Sequence, residues 1–255
     1  MPGLVAGVDV GGTFTDLVIF DPTTGAVRLA KVPTTLDPAL GGQAAGVLAA
    51  LETVSVDLAQ VDLIVHGTTT TTNAVLERAL CKTGMITTAG FRDVLELGRR
   101  TRPNPYGMTG RFTPVIPRDL RLEVPERMDA QGRVLTALDE DALRLAVGAL
   151  VAAGCESLVI HFLHSYANPA HERRAAEVAA ELWPNAHITC GHALLSESRE
   201  YERGVTAAVN AAVQPLLERY VGRLATGLAE RGYKHDLLVM NGNGGMVSAG
   251  LVAKE

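Results

Sequence analysis

Val8-Asp9-Val10-Gly11-Gly12-Thr13-Phe14-Thr15-Asp16 is the stretch of this chain from which the fold is read. An apolar run, Leu4-Val5-Ala6-Gly7-Val8, delivers a carboxylate, two glycines, two hydroxyls and a second carboxylate within one hairpin-like unit. Glycines let backbone N–H groups come up to phosphate oxygens with no Cβ in the way. Thr13 and Thr15 can donate hydroxyl bonds, and an acidic residue can hold Mg²⁺ through water. That order suits a nucleotide phosphate. A Gly-Gly hairpin turn also serves as a plain structural element, and both readings stand at this point.

Working outward, segments 4–10, 14–20 and 26–32 read as a three-stranded meander whose second turn is Asp21-Pro22-Thr23-Thr24-Gly25. Asp37-Pro38 reads as an N-cap with proline at the first helical position, followed by Leu40, Ala44, Val47, Leu48 and Leu51 at helical spacing. Asp62-Leu63-Ile64-Val65 is a buried strand running into His66-Gly67, with a short helix over 73–80 and the alternation continuing through 84–88 and 91–95. This is the grammar of an α/β layer fold behind an antiparallel hairpin. Prolines 103, 105, 114 and 117 mark 99–117 as a long inserted loop. Beyond it the sequence predicts a hairpin from 120–127 and 133–136, a helix after Asp139 and a strand over 157–163. A helix introduced by Asn168-Pro169 and a strand over 186–190 follow, then one long helix over 199–231 bent at Pro215. The last strand, 237–240, opens onto Asn241-Gly242-Asn243-Gly244-Gly245, which either meets a ligand backbone-first or turns the chain.

Composition narrows the function. At 255 residues, 47% hydrophobic and 20% charged, the chain can bury a sizeable core as one large or two small domains. A net charge of −5 without a basic run argues against nucleic acid and anionic membrane surfaces. No apolar run approaches membrane-spanning length and no secretory leader is seen, so a cytoplasmic setting is expected. Cys81, Cys155 and Cys190 are far apart and lack CxxC spacing, so neither a disulfide framework nor a zinc knuckle is indicated. The second polar constellation is His66-Gly67-Thr68-Thr69-Thr70-Thr71-Thr72-Asn73. Five hydroxyls at a strand's carboxyl end exceed what one N-cap needs, and α/β sheets bind ligands just outside that end. His66 itself fits a satisfied strand-end histidine or a catalytic one. His161 and His164, three apart on a strand, point to opposite faces and read as structural, with His171 in the next helix.

These residues carry a resemblance. Gly7 to Asp16, Val65-His66-Gly67-Thr68-Thr69 and Thr72-Asn73-Ala74 resemble the N-terminal part of the hydantoinase A/5-oxoprolinase family. The likeness continues through Gly98-Arg99-Arg100-Thr101-Arg102-Pro103-Asn104, Glu126-Arg127-Met128-Asp129-Ala130-Gln131-Gly132 and His164-Ser165-Tyr166-Ala167-Asn168-Pro169 with His171-Glu172, to Glu200-Tyr201-Glu202-Arg203. It covers nearly the whole chain, divided as a hydantoinase/oxoprolinase N-terminal-like domain over 1–193 and the start of a hydantoinase A-like domain over 194–255.

The resemblance implies an RNase H-like lobe of the actin and sugar-kinase type of ATPase fold, with an inserted loop region and a long C-terminal helix. It implies ATP and Mg²⁺ as cofactors, a cyclic amide such as a hydantoin or 5-oxoproline as substrate, and a hydantoinase B-type partner subunit or domain. A homo-oligomer is compatible with it. Asp9 would be the Mg²⁺-orienting aspartate. Asp9, Thr13 and His66 would be the catalytic positions, and Gly11, Gly12, Thr13, Thr15, Asp16, Gly67, Thr68 and Thr69 would contact the nucleotide. Related members carboxylate ketones with ATP, and a non-catalytic nucleotide-binding or subunit-docking module is the remaining alternative. Relatives carry a second Gly-Gly-Thr-x-Thr-Asp loop where this chain has one copy, so half of an ATP cleft is expected, inactive alone. Thr69-Thr70-Thr71-Thr72-Asn73 also departs from a commoner Thr-Thr-Val-Ala-Thr-Asn, keeping the polar ends.

Overall fold

The computed structural model describes residues 3–35, 42–99, 104, 106–107 and 112–252. The Asp37-Pro38 cap and residues 100–103, 105 and 108–111 of the inserted loop lie outside the described residues. The chain divides into two compact units, Met1–Ala79 with Leu216–Glu255, and Leu80–Pro215.

The first unit begins with β1 (Leu4–Val10), β2 (Phe14–Phe20) and β3 (Val27–Pro33), the meander read from the sequence. Helix α1 (Gly42–Thr53), strand β4 (Val61–Thr68) and helix α2 (Thr70–Leu76) follow. Alternation on β1 buries Ala6, Val8 and Val10, which pack with Leu17 and Ile19 of β2. The apolar stripe of α1, Ala44, Val47, Ala50 and Leu51, packs into the same core. The opposite face of the meander exposes Val18, Phe20, Val27 and Leu29.

The second unit contains β5 (Thr83–Thr88), α3 (Val94–Leu97), β6 (Arg121–Val124), β7 (Arg127–Met128), β8 (Val134–Thr136) and α4 (Glu140–Ala152). It continues with β9 (Ser157–His161), α5 (Ala170–Ala180), β10 (Ile188–Cys190) and α6 (Gly191–Leu194). Helix α7 (Glu200–Glu230) runs through Pro215, so its first half counts with this unit and its second with the first unit. The second unit's sheet has the order β10-β9-β5-β6, all parallel. Asp139 caps α4 as its position predicts, accepting from the Ala142 N–H at 2.9 Å.

Three expectations are corrected. Residues 121–124 do not pair with 133–136; they join β5 as a parallel edge strand, and only Arg127–Met128 forms the small ladder with β8. Pro125 separates the two pieces because it has no N–H to extend a ladder. The short helix begins at Thr70, not residue 73, since the Thr68 hydroxyl accepts the Thr70 N–H at 3.2 Å. Of 84–88 and 91–95, the first is strand and the second becomes a turn leading into α3. The first unit closes with β11 (Leu237–Met240), β12 (Met246–Ser248) and α8 (Ala249–Val252), giving the sheet order β12-β11-β4-β1-β2-β3. Among the described residues, no helix is long and apolar enough to cross a membrane.

Candidate functional site

Strands β1, β4 and β11 are parallel neighbours, so their carboxyl ends lie along one edge of one sheet. Each end opens into a polar segment: Gly11–Thr13, Thr68–Asn73 and Asn241–Gly245. The last closes the β11–β12 hairpin through Asn241 N–H to the Gly245 carbonyl at 2.8 Å, with Gly244 at φ 84°. Both glycine segments and the threonine run thus come to the kind of sheet edge where α/β proteins bind ligands.

The register selects which side chains face outward. Asp9 pairs with Asp16 across β1–β2 and with Gly67 across β1–β4, and Asp16 pairs with Lys31 across β2–β3. These four positions form one row on the face opposite the core. Lys31 Nζ donates to both Asp16 carboxylate oxygens, at 2.9 and 3.1 Å, which relieves the juxtaposition of two carboxylates. Asp9 is different: no cation and no hydrogen-bond donor among the described residues reaches its exposed carboxylate. A Cβ on Gly67 would stand 3.1 Å from Asp9 Oδ1, so glycine there gives the carboxylate its room.

At the hairpin tip, Gly11 N–H donates to the Phe14 carbonyl at 3.0 Å, and the Thr13 carbonyl accepts from Thr34 N–H at 2.9 Å. Gly12 N–H has no acceptor among the described residues. Neither glycine takes a positive φ; their contribution is the missing Cβ. Asn73 Nδ2 lies 3.7 Å from where a Cβ on Gly12 would be, which sets the threonine segment against the glycine tip.

The threonines knit this corner together. Thr69 donates from its N–H and its hydroxyl to the Val10 carbonyl, both at 3.4 Å, and receives Asn73 Nδ2 at 3.3 Å. The Thr68 and Thr70 hydroxyls bond each other at 2.6 Å, and Thr70 also reaches the Gln43 side-chain carbonyl. Gln43 and Lys31 are site residues that sequence reasoning missed. Lys31, opposite Asp16 on a third strand, was recoverable from the meander register.

Two predicted site residues turn away from the row. Thr15 is fully buried and bonds the Thr34 hydroxyl at 3.2 Å. His66 is fully buried beside Val8, with Nε2 at 2.7 Å from the Tyr220 hydroxyl. Burial pushes the His66 pKa down to about 4, against the opposing pull of the Val8 backbone and the Asp9 charge. A neutral imidazole walled into the core does not share the face of Asp9.

The sequence profile of the hydantoinase/oxoprolinase N-terminal region matches residues 5–183, and that of hydantoinase/oxoprolinase matches 203–255. The chain belongs to the hydantoinase/oxoprolinase family. Within this family it is 33% identical over 258 residues to the caprolactamase subunit alpha of Pseudomonas jessenii, covering 98% of this chain and 36% of that protein. It is 32% identical over 256 residues to the acetophenone carboxylase gamma subunit of Aromatoleum aromaticum, covering 93% and 35% respectively. The crystal structure of the ATP-dependent caprolactamase from Pseudomonas jessenii superposes with a TM-score of 0.83 at 31% identity, over 96% of this chain and 36% of that one. The α/β fold is therefore that of the family, and the chain spans 36% of the length of its caprolactamase relative.

Proposed function

We propose that this chain forms the phosphate-binding region of an ATP-dependent amidohydrolase that opens cyclic amides of the hydantoin or 5-oxoproline type. The observation that carries this reading is Asp9: an exposed carboxylate kept clear by Gly67 and without a partner among the described residues, beside a glycine tip whose Gly12 N–H has no acceptor among them. A hard divalent cation takes oxygen ligands and keeps several waters, and the Asp9 carboxylate fits that demand. Mg²⁺ bound there would offset phosphate charge. Gly12 N–H would hold a phosphate oxygen, while Thr13 and Thr68–Thr69 line the same corner.

The chemistry explains the need for ATP. An unstrained amide resists water at neutral pH. Transfer of the terminal phosphoryl group to the amide oxygen breaks its bond to ADP and leaves the carbonyl carbon open to attack by water. Cleavage of the C–N bond in the water adduct, with the nitrogen leaving as a protonated amine, opens the ring to an acyl phosphate. A second water hydrolyses that to the carboxylate and free phosphate. The charge that develops is spread over phosphoryl oxygens, so positioning and fixed donors do the work. A second reading, a subunit of an ATP-dependent ketone carboxylase, is favoured by the likeness to the acetophenone carboxylase gamma subunit. Both relatives are named as subunits, which supports a partner of the hydantoinase B type. Three free cysteines fit a reducing, cytoplasmic setting.

Calorimetric titration with Mg-ATP tests the site. The chain should bind, and Asp9→Asn, isosteric but uncharged, should bind at least tenfold more weakly with an unchanged circular dichroism spectrum. Equal binding by both, or no heat at millimolar nucleotide, overturns the assignment. In the full-length protein Asp9→Asn should abolish ATP-dependent turnover of the cyclic amide.

A further inference from the structure

The second unit holds a cluster that the nucleotide site does not use. Glu172, on α5, is fully buried, and its ion-pair partners among the described residues are histidines only: His192 Nδ1 at 2.6 Å and His161 Nδ1 at 3.9 Å. Backbone N–H groups hold its two oxygens, Phe162 on Oε1 at 2.8 Å and His192 on Oε2 at 2.9 Å. Cys190 Sγ, at the end of β10, joins the group. One donor atom from each of Glu172, Cys190 and His192 lies within 4.8 Å of the others. His161, at the end of β9, is 2% exposed; its Nε2 is held at 2.8 Å by the Glu200 carbonyl. That bond leaves its Nδ1 turned toward Glu172 without a hydrogen-bond partner. Gly191 sits between, where a Cβ would stand 3.2 Å from His161 Nδ1 and 3.4 Å from a Glu172 oxygen.

We infer that Glu172, Cys190 and His192 form a structural site for a borderline-soft divalent cation of the zinc type, with the unpartnered Nδ1 of His161 beside it. The donor set is an imidazole nitrogen, a thiolate and a carboxylate, which suits zinc and does not suit magnesium or calcium. Charge supports it as well. A divalent ion with one carboxylate, one thiolate and a neutral imidazole is a neutral group, the form an interior tolerates. Without the ion the fully buried carboxylate has histidines as its ion-pair partners among the described residues, beside its two backbone donors. The supporting shell is built: both carboxylate oxygens carry backbone donors, and His161, held through Nε2 on the Glu200 carbonyl, turns Nδ1 toward Glu172. The ion would tie the end of β10 and α6 to the start of α5.

Cobalt is the probe. The purified chain, stripped with chelator and titrated with Co²⁺, should take up one equivalent with intense tetrahedral d–d bands and a thiolate-to-cobalt charge-transfer band, and Zn²⁺ should displace it. Cys190→Ser should lose the charge-transfer band and bind at least tenfold more weakly, while Cys155→Ser keeps both. His192→Gln should also bind more weakly, which a bare hydrogen-bond network would not require. Absence of a stoichiometric cobalt spectrum in the wild-type chain overturns the inference whether or not the variants fold. So does a charge-transfer band that persists in folded Cys190→Ser.

Discussion

Acidification should single out His66. In the folded chain its pKa is pushed from 6.5 down to about 4 because the ring is desolvated on the covered face of the sheet. The unfolded chain protonates this ring near 6.5, and the folded chain resists until near 4. Above pH 6.5 both states are neutral and the full stability is present; as pH falls toward 4 the unfolded state alone takes up the proton and stability is lost. At about 1.4 kcal/mol per pKa unit the interval is worth roughly 3 kcal/mol, a large part of a typical domain's margin. Urea unfolding measured over this interval, for the wild type and for His66→Gln, isolates the effect. Glutamine can still meet the Tyr220 hydroxyl but does not titrate. The stability difference between the two proteins should shrink by about 3 kcal/mol between the upper and lower ends of the window. Carbon NMR of labelled histidine should report a ring neutral until near pH 4. A stability difference that is flat with pH, or a ring titrating near 6.5 in the folded protein, refutes the burial argument.

Other perturbations follow from single contacts. Gly67→Ala would put a Cβ 3.1 Å from Asp9 Oδ1, so Mg-ATP binding should weaken severalfold while the urea midpoint moves little; unchanged calorimetric affinity would count against the Asp9 site. Thr88→Val removes the hydroxyl that accepts the Leu163 N–H at 2.9 Å and donates to buried Glu126, leaving two groups unpaired; a loss of about 2–4 kcal/mol is expected in urea unfolding. Arg203→Met should cost about 3–5 kcal/mol, because the fully buried guanidinium holds the Glu197 carbonyl at 2.7 Å, the Phe162 carbonyl at 3.1 Å and the Glu200 carboxylate, which would be left without its cation; a thermal shift under 1 °C, well below the ~2–4 °C that each kcal/mol moves a chain of this size, would contradict that.

Local rules carried the reading furthest where the structure is local. The Gly-Gly hairpin, the Asp21–Gly25 turn, the Asp139 cap and the long helix through Pro215 all depend on neighbours in sequence, and all were legible. What escaped depends on pairing between distant segments. Residues 121–124 look like half of a hairpin because nothing nearby reveals that β5, more than thirty residues earlier, offers them a parallel edge. The grouping of Glu172 with Cys190 and His192 was hidden for the same reason, since no ligand spacing marks it.

The candidate site shows how far one register decides chemistry. From sequence, Thr15 and His66 look as available to a phosphate as Asp9 and Gly67, because each sits in the same polar run. Strand alternation divides them: Val8, Val10, Thr15 and His66 fall on the face covered by α1 and the second half of α7, and Asp9, Asp16, Lys31 and Gly67 on the other. Which set is buried cannot be known until the covering helix is placed. Once Ala44, Val47 and Leu51 of α1 claim the face of Val8 and Val10, the outward row is fixed, and a slip of one residue would exchange the two sets entirely. The carboxylate without a partner among the described residues is therefore a consequence of core packing: the same alternation that buries Val8 and Val10 turns Asp9 outward between them, onto the open face of the sheet.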